Sequence, residues 1–271
     1  PDTETRRSQP DWHRLARPRA WPARTGSHTF KTGFQLGQGV KNLRQYSWSD
    51  YSYTFRRGVP TTITQLATPY LRKERIKADL GVFVQDQWAF KRLTMNAGLR
   101  FDYYNAYVPE QHMPAAKFVP ARDFDPVYNV PNWKDFNPRL GAAYDLFGTG
   151  RTAVKASLGR YVGKTAIAIA ADNNPVTRSV RSATRTWSDT NANYLPDCNL
   201  ANLAANGECG AISNTNFGKV NANATQYSGD VIHGWGARDY LWDAAVELQH
   251  QLGTGVSVTA LSDTGMRSIE H

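Results

Sequence analysis

The chain has 271 residues, 41% of them hydrophobic and 12% aromatic, with a formal net charge of +9 and a mean hydropathy of −0.55. That is enough apolar material for a folded body of one or two domains, and the low hydropathy means that polar loops must balance apolar segments. No run of about 18 apolar residues occurs, which excludes a membrane-spanning helix but not a membrane barrel, whose strands alternate and score weakly on hydropathy.

Residues 1–25 are rich in Arg and Pro and have no period, so they are expected to be disordered or foreign to the fold. The chain opens without Met or an apolar signal segment, as a processed protein or a piece of a longer one would. Arg6, Arg7, Arg14, Arg17, Arg19 and Arg24 concentrate part of the basic excess in this segment, and the other cations are scattered. No nucleic-acid partner is therefore expected. From Thr29, Phe30, Phe34 and Leu36 alternate with polar residues, and after a loop Tyr51, Tyr53 and Phe55 do the same. Arg57 to Pro60 turn the chain into a Thr-rich extended stretch, Thr61 to Thr68.

The strongest pattern follows. Leu93, Met95, Ala97, Leu99, Phe101 and Tyr103 alternate without interruption with Thr94, Asn96, Gly98, Arg100, Asp102 and Tyr104. A period of two is that of an extended strand, whose successive side chains point to opposite faces. Leu80, Val82 and Val84 repeat the pattern just upstream, and Ala89 to Arg92 form a tight polar reversal, giving an antiparallel hairpin. A second hairpin runs from Leu140 through a turn at Phe147 to Gly150 and back from Val154. A third joins Leu241–Gln249 to Val256–Ala260 through Gly253, Thr254 and Gly255.

Two environments hold such hairpins, a soluble sandwich and an outer-membrane barrel. Leu93 to Tyr104 is long enough to span a bilayer, which needs roughly 9–11 tilted residues. Aromatics gather near both strand ends, Trp88 and Phe90 at the turn and Phe101, Tyr103, Tyr104 and Tyr107 at the other end, as interfacial girdles do. Turns within hairpins are short, whereas loops of about 105–137, dense in proline, and 162–239 separate them, although loops beyond about 15 residues are uncommon in compact soluble domains. The expected fold is an all-β, antiparallel transmembrane barrel fragment over 26–262 with short periplasmic turns and long extracellular loops.

The phrases VFVQDQWAFKRLTMNAGLRFDYYNAYVPEQ, VPNWKDFNPRLGAAYDLFGTGRTAVKASLGRYV, RTWSDTNANYLPDCNL, NGECG and HGWGARDYLWDAAVELQHQL resemble the barrel of TonB-dependent outer-membrane receptors, of the type with a carboxypeptidase regulatory-like N-terminal domain. The resemblance covers roughly Gly26 to Ala260, and residues 1–25 and 263–271 fall outside it. It implies an outer-membrane location, contact with lipid, and import of a large scarce nutrient such as a siderophore or oligosaccharide. It also implies coupling to TonB through a plug domain that this chain lacks. About eight to ten strands are legible, against about 22 in plugged transporters, so a central piece of a receptor is expected. The rival readings are a passive porin-like barrel and a soluble β-sandwich adhesin or carbohydrate-binding module.

No GxSxG, HExxH or Walker pattern is present, so no catalytic residue is assigned and no enzyme is expected. Asp86, Asp102 and Asp145 lie near strand ends, where solvation or a lumen hydrogen bond accounts for them. Tyr128, Trp133, Trp187 and Tyr194 are aromatic candidates for ligand contact, or loop anchors. Asp189, Asn191, Asn193 and Asp197 place oxygen donors at calcium-loop spacing, but Tyr194 stands where that turn wants Gly and Leu200 where an acid should close the shell. An Asx-rich turn held by its own backbone is the alternative, and calcium is the one cofactor considered. Cys198 and Cys209, close together in a polar loop, suit a local disulfide better than a metal site needing four ligands.

Overall fold

A computed structural model describes residues 19–45, 47, 49–163 and 167–267. In chain order the strands are β1 (Arg19–Thr25), β2 (His28–Gln45), β3 (Tyr51–Arg56), β4 (Val59–Leu66), β5 (Tyr70–Phe90), β6 (Leu93–Tyr107), β7 (Gln111–Met113), β8 (Arg122–Phe124), β9 (Asn132–Asp145), β10 (Thr152–Val162), β11 (Ser182–Thr186), β12 (His233–Trp235), β13 (Tyr240–Gly253) and β14 (Val256–Arg267). Two short helices, α1 (Ala168–Asp172) and α2 (Gly229–Ile232), lie in the loop between β10 and β13. No helix among the described residues is long and apolar enough to cross a membrane.

The body is one antiparallel meander in the order β1-β2-β5-β6-β9-β10-β13-β14. Its register sorts side chains onto two faces. Phe34, Val82, Phe101 and Phe136 form one cross-strand row, and Val84, Leu99 and Pro138 the next. The intervening rows carry Lys31, Gln85, Gly98 and Arg139, and Gln35, Gly81, Asp102 and Asp135. No second layer of described residues covers the Val84 and Leu99 row, and Phe101 and Phe136 meet only Trp235 beside them. Val84, Leu99 and Leu140 are 52%, 45% and 53% exposed, and Val246 and Val258 further along the sheet are exposed too. An apolar field this continuous must meet something other than water.

At one end the strands are joined by Gly26-Ser27, Lys91-Arg92, the 146–151 turn and Thr254-Gly255. The sequence expectation of a reversal over Ala89 to Arg92 is therefore tightened to two residues. In the 146–151 turn Asp145 accepts the backbone N–H groups of Gly148 (3.0 Å) and Gly150 (2.8 Å), and both glycines take positive φ, which a Cβ would disfavour. At the opposite end β2 and β5 run on as a tall ribbon, paired as far as Gln45 and Tyr70, with a register shift at Gly37/Gly39, and the β5–β6 ladder shifts at Ile76/Ala78.

The buried core lies in the layer of loops at that end. Residues 108–131 carry the β7–β8 hairpin, and β3, β4 and β11 form a separate three-stranded sheet. Tyr51, Tyr53 and Phe55, which alternate as a membrane strand would, belong to this loop sheet. Tyr104, Val108, Trp133, Ile167, Ala170 and Ile232 make one cluster. Others centre on Ala67, Val119, Ile212 and Phe217, on Tyr70, Met113, Phe124 and Val176, and on Ile63, Trp187 and Cys209. Tyr104 shares a face with Asp102, so the 163–239 loop folds over the polar side of the sheet.

Three sequence expectations change. Arg19–Thr25, read as unstructured, pairs along its whole length with β2, and Pro22 is accommodated because β1 has, among the described residues, a ladder partner on one side only. Residues 1–18 lie outside the described residues. Asp263 to Arg267, read as an unmatched tail, continue β14; residues 268–271 lie outside the described residues. Residues 132–138 are strand and not loop: the β9–β10 ladder stops at Arg139↔Gly159, so Pro138 sits where β10 has already left.

Candidate functional site

The polar face of the sheet is concave and charged. Arg100 on β6 donates through Nε to both oxygens of Asp102 (2.8 and 3.0 Å), and Asn137 on β9 donates to Asp102 Oδ2 at 2.7 Å. Arg160 bridges the gap where β9 and β10 part. Its Nη1 donates to Asp135 Oδ1 (3.0 Å), Asn137 Oδ1 (2.8 Å) and the Phe136 carbonyl (3.2 Å), and Nη2 to Asp135 Oδ1 at 3.1 Å. The same gap is taken up by β12, which pairs with β9 in parallel over His233↔Asn132 to Trp235↔Lys134. Backbone groups that lose a ladder partner in a membrane wall need another, and here a loop strand and a guanidinium supply them.

Above this wall the loops are rigidly built. Trp133, proposed from sequence for ligand contact, is buried and its indole N–H donates to the Val231 carbonyl at 2.8 Å. Trp187 is buried against Tyr53 (4.8 Å between rings) and donates to Glu208 at 3.3 Å. Both are anchors here, out of a ligand's reach. Tyr128 and Tyr194 are exposed, the first stacked on Tyr107 and the second beside Phe55. The four aromatics do not converge on one site.

Asp189, Asn191, Asn193 and Asp197 do come together, and each of them accepts a hydrogen bond from within the loop. Asp189 accepts the backbone N–H groups of Asn193 and Tyr194, Asn191 that of Asn193, and Asn193 that of Leu195. Asp197 Oδ2 accepts the side-chain amides of Asn191 (2.7 Å) and Asn193 (3.1 Å). This is the Asx-turn arrangement, and no cluster of three or more His, Cys, Asp or Glu suited to a metal occurs among the described residues. Cys198 and Cys209 are disulfide-bonded, with Cα atoms 5.8 Å apart, closing the base of the same loop.

The loop's organising group is Glu208. Its carboxylate accepts the backbone and hydroxyl of Thr190 (2.7 and 2.6 Å), the backbone of Asp197 and the indole of Trp187. These donors, Thr190 first, hold its pKa at about 2. Glu208 therefore stays ionised at all but strongly acid pH.

One face uncovered and apolar, the other charged, short turns at one end and folded loops at the other leave only a membrane barrel wall. A family model for an outer membrane beta barrel domain matches residues 10–261. The chain belongs to that family. No curated protein and no solved structure matches it. As an outer-membrane β-barrel chain, it lies in the cell outer membrane with Phe34, Val82, Val84, Leu99 and Leu140 toward lipid and Lys31, Arg100, Asp102 and Arg139 toward the lumen.

Sequence reasoning missed Glu208 and Arg160 because their partners are distant in the chain, and no local spacing marks them. Asp86, read as solvated or lumenal, is corrected: it stands on the Val82/Val84 face, bonded to His28 Nδ1 at 2.7 Å beside Trp88. Its place close to the Lys91-Arg92 turn is at the membrane boundary, where aromatic and polar groups share the headgroup zone. Counting by two from Val84 would have found that face.

Proposed function

We propose that this barrel belongs to an energy-coupled receptor of the TonB-dependent type, which captures a large scarce nutrient at its outer loops and passes it along the lumen. The supporting observation is the outer layer. Its loops are a cross-linked assembly with four buried clusters that leans over the lumen face, whereas a diffusion pore gains nothing from so large a structure across its mouth. The phrases that resemble such receptors point the same way. TonB would be reached through a plug domain, for which none of the described strands is a candidate. A siderophore or an oligosaccharide is the class of cargo expected.

The test is conductance. The full protein inserted in a planar bilayer should show no steady ion current, and uptake by cells should stop when a protonophore collapses the proton gradient. A stable open-pore conductance at every insertion, with uptake indifferent to the protonophore, would replace this reading with that of a passive porin.

A further inference from the structure

The lumen wall carries a feature that the receptor reading does not specify. A concavity of about 450 Å³ is lined by Lys31, Arg100 and Arg139, with Gln85 and Asn96 beside them and no carboxylate. Lys31, Gln85, Gly98 and Arg139 stand on a single cross-strand row, so the first and last face each other across a floor that lacks a side chain at Gly98. Arg100, one row outward, lies flat over Gly81, where a Cβ would collide with its guanidinium. Its Nε is committed to Asp102, and that pair is internally neutral. The Lys31 side chain makes no hydrogen bond or ion pair with a described residue. The Arg139 guanidinium makes only a ring contact among the described residues, 4.6 Å from the centre of Tyr161. Two cations thus line a concavity that holds no carboxylate; Arg139 also borders a neighbouring concavity lined by Asp79 and Asp102, and Asp243 stands two strands beyond it on the same row.

The geometry points to a binding position for an anionic group, carboxylate or phosphate, of the solute that passes through the lumen. Held by its ring stack on Tyr161, Arg139 is pre-oriented to present its planar donors bidentately to such a group, and Lys31 supplies a mobile point charge from across the row. Flattened side chains over Gly33, Gly81 and Gly159 keep the wall thin there and leave room for a bulky solute. The inference deepens the receptor reading by naming the charge of its cargo, yet it rests on the wall alone.

Equilibrium binding tests it without any energy coupling, so that failure of the transport reading and failure of this one are separable. Pyrophosphate and citrate are titrated calorimetrically into the full protein in detergent, with sucrose as the neutral control. Both anions should bind, with affinity falling as salt is raised. The double variant Lys31→Gln/Arg139→Gln should weaken them at least ten-fold, with Lys31→Gln alone intermediate and Lys31→Arg close to the parent. Absence of anion binding would overturn the inference, as would binding that survives the double variant or is matched by sucrose.

Discussion

Replacing Leu99 by arginine should cost about 2–4 kcal/mol of folding free energy in a bilayer, whereas Asn96→Arg on the same strand should cost much less. Leu99 lies within the apolar field, paired with Val84 on one side and Pro138 on the other. A guanidinium there must stay in hydrocarbon or drag water toward it. Asn96 points to the lumen between Gln87 and Gly141, where an added cation remains solvated. Reversible urea unfolding of the full protein from lipid vesicles gives both values. Equal penalties on the two faces would mean that the sheet does not separate lipid from water.

A second large effect is expected at the split between β9 and β10. Asp135 has 1% of its side chain exposed and Arg160 has 9%, and the guanidinium also serves Asn137 and the Phe136 carbonyl. Arg160→Leu removes all of these partners and leaves the buried Asp135 carboxylate without its hydrogen-bonded cation, with Arg238 as the remaining nearby charge, a class of change that costs about 3–5 kcal/mol. The double variant Arg160→Leu/Asp135→Leu should recover a good part of that loss, because the stranded charge goes too, and a double-mutant cycle on unfolding free energies measures the coupling. If the two single losses simply add, the pair is not coupled in the folded wall.

The wall was legible in sequence wherever a strand has lipid on one side and lumen on the other. Leu93 to Tyr104 and Leu140 to Leu158 alternate because their two solvents differ, and the hairpin partners are near in the chain. Legibility fails where that condition lapses. Arg19–Thr25 is an outermost strand tolerant of Pro22, so it carries no apolar rhythm. Tyr51, Tyr53 and Phe55 alternate as clearly as a membrane strand, yet they pair with β4, which pairs in turn with residues 182–186, a distant partner that no local window reveals. Trp133 and Trp187 illustrate the limit for sites: an aromatic in a polar loop reads alike whether it greets a ligand or anchors the loop, and only the packing around it decides. The lumen cations were visible as alternating polar residues. That Lys31 and Arg139 share one row, with no carboxylate on it between them, depends on the registers of four strands.

The central claim, that one face of this sheet meets lipid and the other water, is tested most directly by nitroxide labels placed singly at Met95, Ala97 and Leu99 and at Thr94 and Asn96 of the full protein in lipid vesicles. Labels at the first three positions should be relaxed strongly by oxygen, which concentrates in hydrocarbon, and weakly by a water-soluble nickel chelate, with the order reversed at the other two. Accessibility that fails to alternate along β6, or protection of both sets from oxygen, would contradict the membrane assignment.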